Sequence, residues 1–408
     1  MRFPIARSLA LIFALGLVAE PALAQQPPAD AAALRAEVTS LRQQLDALEA
    51  RLAALEGAPA AAPAAPAAAP PVAAAPVVTG ASGTADTSKV FNPDTSILAN
   101  FAGVAGKNPM SDQPSLELTE VEAAFQAVVD PYARADFFLS ANPEGLEVEE
   151  GFITFTSLPR NLLLKVGKMR AQFGKVNTLH THVMPTIDRP LVTENLVGGE
   201  EGLSDSGISL SKLLPNPILF VEATGEVFRG HSNVFESSSR SELNYVGRLR
   251  AYRDITEGSN IDIGTSFATG PTSLASGLSK QLMGVDATFR YRPLRRAIYK
   301  RFQARTELVW SRQALQTGPR QKAFGYYGLG EYQFARRWYI GGRYDQSGRL
   351  LDESQQDRGG SVFLTYWPSE FSQIRGQYRR TNYDEGTNAN EFLFQFNFAI
   401  GAHGAHVF

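Results

Sequence analysis

Residues 391–400 read EFLFQFNFAI. Phe392, Phe394, Phe396 and Phe398 take every second position, with Leu393, Gln395, Asn397 and Ala399 between them. A β-strand sends successive side chains to opposite faces, so one face here is phenyl and the other carries the amides. A soluble antiparallel sheet would turn the rings to a core and the amides to water. A sheet closed inside hydrocarbon would turn the rings outward and the amides to a wet interior. One strand does not choose between these, but the rest of the chain does.

Composition narrows the choice. The 408 residues carry 39 basic and 41 acidic side chains, a balance in which nothing points to nucleic acid. The absence of cysteine excludes disulfides and thiolate chemistry. Beyond the N-terminus, no run reaches the roughly 18 apolar residues a membrane helix needs. Any crossing of a bilayer must therefore use strands.

The N-terminus has the form of an export signal. Arg2 and Arg7 precede the short apolar core SLALIFALGLVA, and Ala22 and Ala24 stand at the small-residue positions before a cut after Ala24. A membrane anchor would need a longer core. Residues 31–57 then carry Leu34, Val38, Leu41, Leu45, Leu48, Leu52 and Leu55 at alternating spacings of 4 and 3, a heptad seam. With Val38, Leu45 and Leu52 at a, Glu37 faces Arg42 and Arg51 faces Glu56 of a parallel neighbour. RLAALE (51–56) also resembles a trimer-favouring coiled-coil pattern. The alternative is a lone amphipathic helix lying on its own barrel, but an isolated helix of this length is marginal in water. Gly57 stops the helix, and residues 58–94 form an Ala/Pro-rich linker whose prolines forbid helix and favour an extended spacer. The folded domain is expected over 95–408.

Period-2 segments recur through that domain. In 243–254, Leu243, Tyr245, Leu249 and Ala251 oppose Asn244, Arg248, Arg250 and Tyr252. In the next segments Ile261, Ile263 and Phe267 oppose Asp262, and Met283, Val285 and Phe289 oppose Asp286, Arg290 and Arg292. Phe302, Leu308 and Trp310 oppose Arg305 and Glu307, and the polar faces of later segments carry Arg343, Asp345, Arg375 and Arg379. About 16 segments (range 14–18) are joined alternately by tight links and longer polar loops, with both chain ends on the tight side. That predicts an all-β fold, a transmembrane antiparallel β-barrel, whose closure satisfies every backbone polar group in lipid. Tyr291, Phe302, Trp310, Trp338, Tyr366 and Phe371 sit near strand ends, as interfacial belts require. The opening stretch then points its rings at outer-membrane lipid.

The exported chain, the periplasmic coiled coil, the strand count and a long third outer loop together resemble the trimeric outer-membrane porins. LLLKVGKMRAQFGKVN (162–177) resembles the corresponding strand of the phosphate-selective porin family. The resemblance implies a homotrimer in the outer membrane of a Gram-negative bacterium. It also implies a third loop, about 175–206, that folds into the lumen; a surface cap is the alternative. A phosphate ladder would need inward Lys and Arg, and the signs here are mixed. Arg248, Arg250, Arg290, Arg292, Arg305, Arg343, Arg375 and Arg379 share inward parity with Glu120, Glu122, Asp136, Glu222, Glu226, Asp262, Asp286, Glu307, Glu331 and Asp345. Acids gather in the first half and arginines in the second, which predicts either a transverse field across the pore or salt bridges between neighbouring strands. The expected activity is passive diffusion of small hydrophilic solutes or ions, with no cofactor and no catalytic residues.

His180 and His182 in the third loop, and His403 and His406 at the C-terminus, raise a metal site, since imidazole is a common zinc ligand. There is also a resemblance to outer-membrane proteins named zinc-regulated receptors. Topology separates the two pairs, so the candidate ligands are His180 and His182 alone, and two ligands make a weak site. A TonB-dependent receptor would need a plug that does not fit, and a hydrolase would need Ser and His together on a strand. An envelope brace remains open, since about 25 helical residues reach roughly 35–40 Å.

Overall fold

The computed structural model describes residues 93–401, apart from 112, 273, 275, 276, 351 and 385. The expected export signal and coiled coil, nearly all of the expected linker, and His403 and His406 lie outside the described residues. The strands are β1 (Asp94–Lys107), β2 (Leu116–Asp130), β3 (Ala133–Asn142), β4 (Gly145–Leu158), β5 (Leu162–Arg170), β6 (Ser204–Leu214), β7 (Phe220–Phe228) and β8 (Asn244–Thr256). They continue as β9 (Ser259–Pro271), β10 (Ser279–Tyr291), β11 (Arg301–Gln313), β12 (Gln321–Ala335), β13 (Trp338–Gly348), β14 (Gln356–Ser369), β15 (Ser372–Asn382) and β16 (Asn388–Gly401). Each pairs antiparallel with its sequence neighbours, and β1 closes on β16 with Ser96 opposite Gly401 and Lys107 opposite Asn390. Closure leaves no strand edge unpaired.

Alternation decides which face is which. On β16, Phe392 is 53% exposed to the outside, while inward Leu393 and Gln395 are 3% and 1% exposed. The outer face continues with Tyr245, Leu249, Ile340, Tyr344, Val362 and Leu364. Aromatic pairs stand at both rims. Trp338 stacks on Tyr366 with centroids 4.5 Å apart at the short-turn rim, and Trp310 meets Phe324 at 5.1 Å toward the loop rim.

Two details depart from the sequence expectation. The link between β3 and β4 is a two-residue turn on the long-loop side. Asn142 Oδ1 closes it by accepting the N–H groups of Glu144 and Gly145 at 2.9 and 3.0 Å, the side chain standing in for a backbone turn. The interior is also not uniformly polar. Val246, Ala268, Leu282, Val309, Tyr327 and Leu329 point inward from β8–β12 and form one buried cluster with residues of the chain between β5 and β6. The barrel therefore has a small apolar core inside it.

Candidate functional site in the barrel interior

The long third loop, 171–203, is bound at each stage to inward-facing side chains. Its first turn is anchored on β7–β11. Gln172 N–H donates to Glu226 Oε2 at 2.8 Å, and Gly174 N–H to Ser266 Oγ at 3.0 Å. Arg248 Nη1 donates to the Gly174 carbonyl at 2.7 Å, and Glu307 Oε2 accepts from Lys175 and Val176 N–H at 3.2 Å each. Gly174 has φ +60°, and a Cβ there would collide with Glu307 Oε1, so glycine is required on both counts.

The loop then crosses to the opposite wall. Arg375 Nη1 donates to the Met184 carbonyl at 2.8 Å, and Ile187 N–H donates to Gln377 Oε1 at 2.9 Å. Asp188 meets Arg343 at 2.7 Å and Arg379 at 2.9 Å. Burial alone would raise the Asp188 carboxyl, but the two guanidiniums outweigh it and hold its pKa at about 2. A short helix, α1 (Leu191–Leu196), packs against β11–β14, with Val192 and Leu196 fully buried in the inner core. Each such side chain contributes about 1.5–3 kcal/mol to docking. Lys280 Nζ reaches the Leu196 carbonyl at 3.5 Å.

The sequence-nominated lumen residues divide into two groups. Arg343, Arg375, Glu226, Glu307 and Asp345 face inward but are buried against the loop, which they hold. Arg248 is shared between the Gly174 carbonyl of the loop and Asp286, 2.9 Å away. Arg250 grips Asp262 with two bonds of 2.9 and 2.7 Å and lies 3.8 Å from Glu222. Arg290 lies 3.9 Å from Asp262, and Arg305 and Glu331 face inward beside them on β11 and β12. Arg379 bridges Asp188 and Glu391. Arg292 corrects an expectation: β10 ends one residue earlier, and Arg292 is exposed at the short-turn rim, its N–H bonded to the Gly258 carbonyl at 2.7 Å. Strand alternation ends where the turn begins.

Lys175 joins the basic group. Burial first, then Arg305, Arg250 and Arg290 against the opposing charge of Asp262, lower its pKa to about 8. The lone Lys175 of a loop gave no periodic signal by which the sequence could place it there.

Across the ring, β2 and β10 are half a circuit apart. Glu120 and Glu122 on β2, Asp136 on β3, and Glu149 and Glu150 on β4 therefore oppose the arginines of β10 and β11. Glu149 and Glu150 are consecutive, so a regular strand would put one of them outside. The pairing of β4 with β3 shifts register beside Glu149, and this bulge turns both carboxylates inward. Sequence alternation had no means of finding that pair. Arg170 is bound to both, its Nη2 to Glu149 and its backbone N–H to Glu150 at 2.7 Å.

His180 and His182 sit on this acidic wall, as the sequence did not foresee. His180 Nδ1 is 2.8 Å from Glu122 Oε2 and 3.2 Å from Glu149 Oε2, and its Nε2 is 2.8 Å from Glu150 Oε2. His182 Nδ1 is 3.5 Å from the same Glu122 oxygen. Burial disfavours the charged imidazole of His180, yet its bonds to Glu122, Glu149 and Glu150 prevail and hold its pKa well above the ordinary value.

No family model matches the chain. An uncharacterized protein of Aquifex aeolicus (strain VF5) is 28% identical over 387 residues, covering 79% of this chain and 81% of the relative. Among solved structures, the trimer form of OmpT, an outer membrane protein of Vibrio cholerae, superposes with TM-score 0.53 at 8% identity, covering 76% of this chain and 99% of that one. The outer membrane channel DcaP of Acinetobacter baumannii gives TM-score 0.52 at 11% identity, over 76% and 96% of the two chains. OprB of Pseudomonas putida gives 0.52 at 9% identity, over 77% and 95%. The chain thus has the closed sixteen-strand antiparallel barrel fold of outer-membrane porins.

Proposed function

We propose that this protein is an outer-membrane porin, through which small hydrophilic solutes or ions diffuse passively, with the third loop as its constriction. The observation that carries the proposal is the pairing of an apolar outer belt with a charged interior crossed by that loop. Hydrocarbon is the one medium in which such a belt is stable without a second layer of protein.

Selectivity follows from the placement of charge. Lys175, Arg250, Arg290 and Arg305 stand on one wall and the glutamates of β2–β4 on the other. A transverse field of this kind orients dipolar solutes and favours neither sign strongly. Because Arg343, Arg375 and Arg379 are committed to the loop, few cations remain for a phosphate ladder. We assign the chain no catalytic step and no cofactor.

Assembly as a homotrimer is part of the same proposal, supported by the heptad seam of 31–57 and by the trimer form of the similar OmpT. On this proposal the export signal and heptad seam read from the sequence would put the N-terminal segment in the periplasm, where it would also reach toward the cell wall as a tether.

The test is reconstitution in planar bilayers. Stepwise conductance in groups of three, with weak ion selectivity, is expected. A barrel that inserts without passing current would overturn the channel and leave the envelope brace.

A further inference from the structure

We propose that the acidic wall and the third loop together form a divalent-cation site, made of Glu122, His180, His182 and Glu149, with the Glu120 carboxylate beside it. The inference stands on the geometry of the site and does not depend on the channel proposal.

Glu122 is the shared member. It forms one group with His180 and His182, and a second with Glu120 and Glu149, and within each group ligand atoms lie within 4.8 Å of one another. Tetrahedral coordination with bonds of about 2.0–2.1 Å requires ligand atoms about 3.3 Å apart. Three of these edges, His180–Glu122, His180–Glu149 and His182–Glu122, are 2.8, 3.2 and 3.5 Å, on either side of that length. Small side-chain adjustments would admit an ion at their centre.

A second observation points to a ligand. Glu120 is 8% exposed, and while its Oε1 accepts from Ser140 Oγ at 3.2 Å, its Oε2 has no hydrogen-bond partner among the described residues. A buried carboxylate oxygen without a donor is strongly destabilising unless something positive meets it. Among the described residues, the four carboxylates of Glu120, Glu122, Glu149 and Glu150 are answered by the guanidinium of Arg170 and by His180, with Arg189, shared with Glu194 and Glu200, also acting on Glu149. The shortfall is positive charge, which a divalent ion supplies.

The donors choose among ions. Two imidazoles with carboxylates suit Zn²⁺, whereas Ca²⁺ and Mg²⁺ prefer oxygen alone. Because the imidazoles come from the loop and the carboxylates from β2 and β4, a bound ion would staple the loop to the wall.

The experiment is calorimetric titration of the full chain in detergent, stripped by chelator, with Zn²⁺ as the probe and metal content measured in parallel. About one equivalent per chain is expected, with affinity weakened about tenfold or more by either Glu122→Gln or His182→Ala. A chain carrying His403→Ala and His406→Ala should bind as before. Absence of uptake, uptake indifferent to Glu122→Gln and His182→Ala, or uptake lost with His403 and His406 would each overturn the proposal. Should the Glu122 and His182 variants not fold, Co²⁺ is loaded into the His403→Ala, His406→Ala chain. Paramagnetically shifted resonances from two imidazoles support the site, and their absence overturns it.

Discussion

Asp188 and Arg343 are separated by 155 residues in sequence, yet their side chains meet at 2.7 Å in the barrel interior. The Arg343 side chain is 1% exposed there and also holds Asp345 on its own strand at 2.7 Å. The third loop is thus tied to β13 by a pair that solvent barely screens.

Removing one partner of a buried pair costs about 3–5 kcal/mol when the other charge is left uncompensated, and less here, because Asp345 stays on Arg343 and Glu391 on Arg379. Asp188→Asn is therefore expected to free the middle of the loop while the barrel itself stays folded. Single-channel recordings should show larger and noisier conductance than the parent. Unchanged traces would mean that the loop does not depend on this pair.

The same pair sets an acid limit. Because Asp188 is held at about 2, below an unfolded carboxyl near 3.9, its contribution is present above about pH 4 and is lost as pH falls through 2. Conductance should be steady on acidification to pH 4 and change only below it. A transition at pH 5–6 that Asp188→Asn abolishes would contradict the assignment.

Lys175 gives the interior a basic limit. With its amine at about 8, the charge present at neutral pH is lost as pH rises through that value. The anion-to-cation permeability ratio is expected to fall between pH 7 and 9. Lys175→Met should remove most of that pH dependence and start from the lower ratio.

Gly174 tests the anchor on β11. Alanine there meets Glu307 and must also adopt a positive φ. Gly174→Ala should loosen the first turn of the loop, seen as faster proteolysis within 171–203 in otherwise folded protein. Resistance equal to the parent would show that Glu307 moves aside at little cost.

The outer belt has its own test. Phe394 faces outward near the middle of β16, where arginine in a bilayer costs about 2–4 kcal/mol. Phe394→Arg should lower the fraction that folds into lipid vesicles, whereas Glu222→Gln, inside and partly exposed, should not. Equal folding of both would mean that the rings do not face hydrocarbon.

The alternation of 391–400 by itself determined that one side of the sheet is apolar, and the spacing of such segments determined a closed barrel. Both are local properties, since a strand's period of two holds wherever the strand runs. Tertiary structure alone decided what the interior does. Whether Arg343 and Arg375 face open water or lie under the loop depends on where residues 184–189 pass, and no periodicity encodes that path. The inward Glu149–Glu150 pair depends on a bulge, and the meeting of His180 and His182 with Glu122 on a loop folded across a closed ring. Contacts between distant segments arise because closure brings them together, and the buried charges then select the path that pairs them.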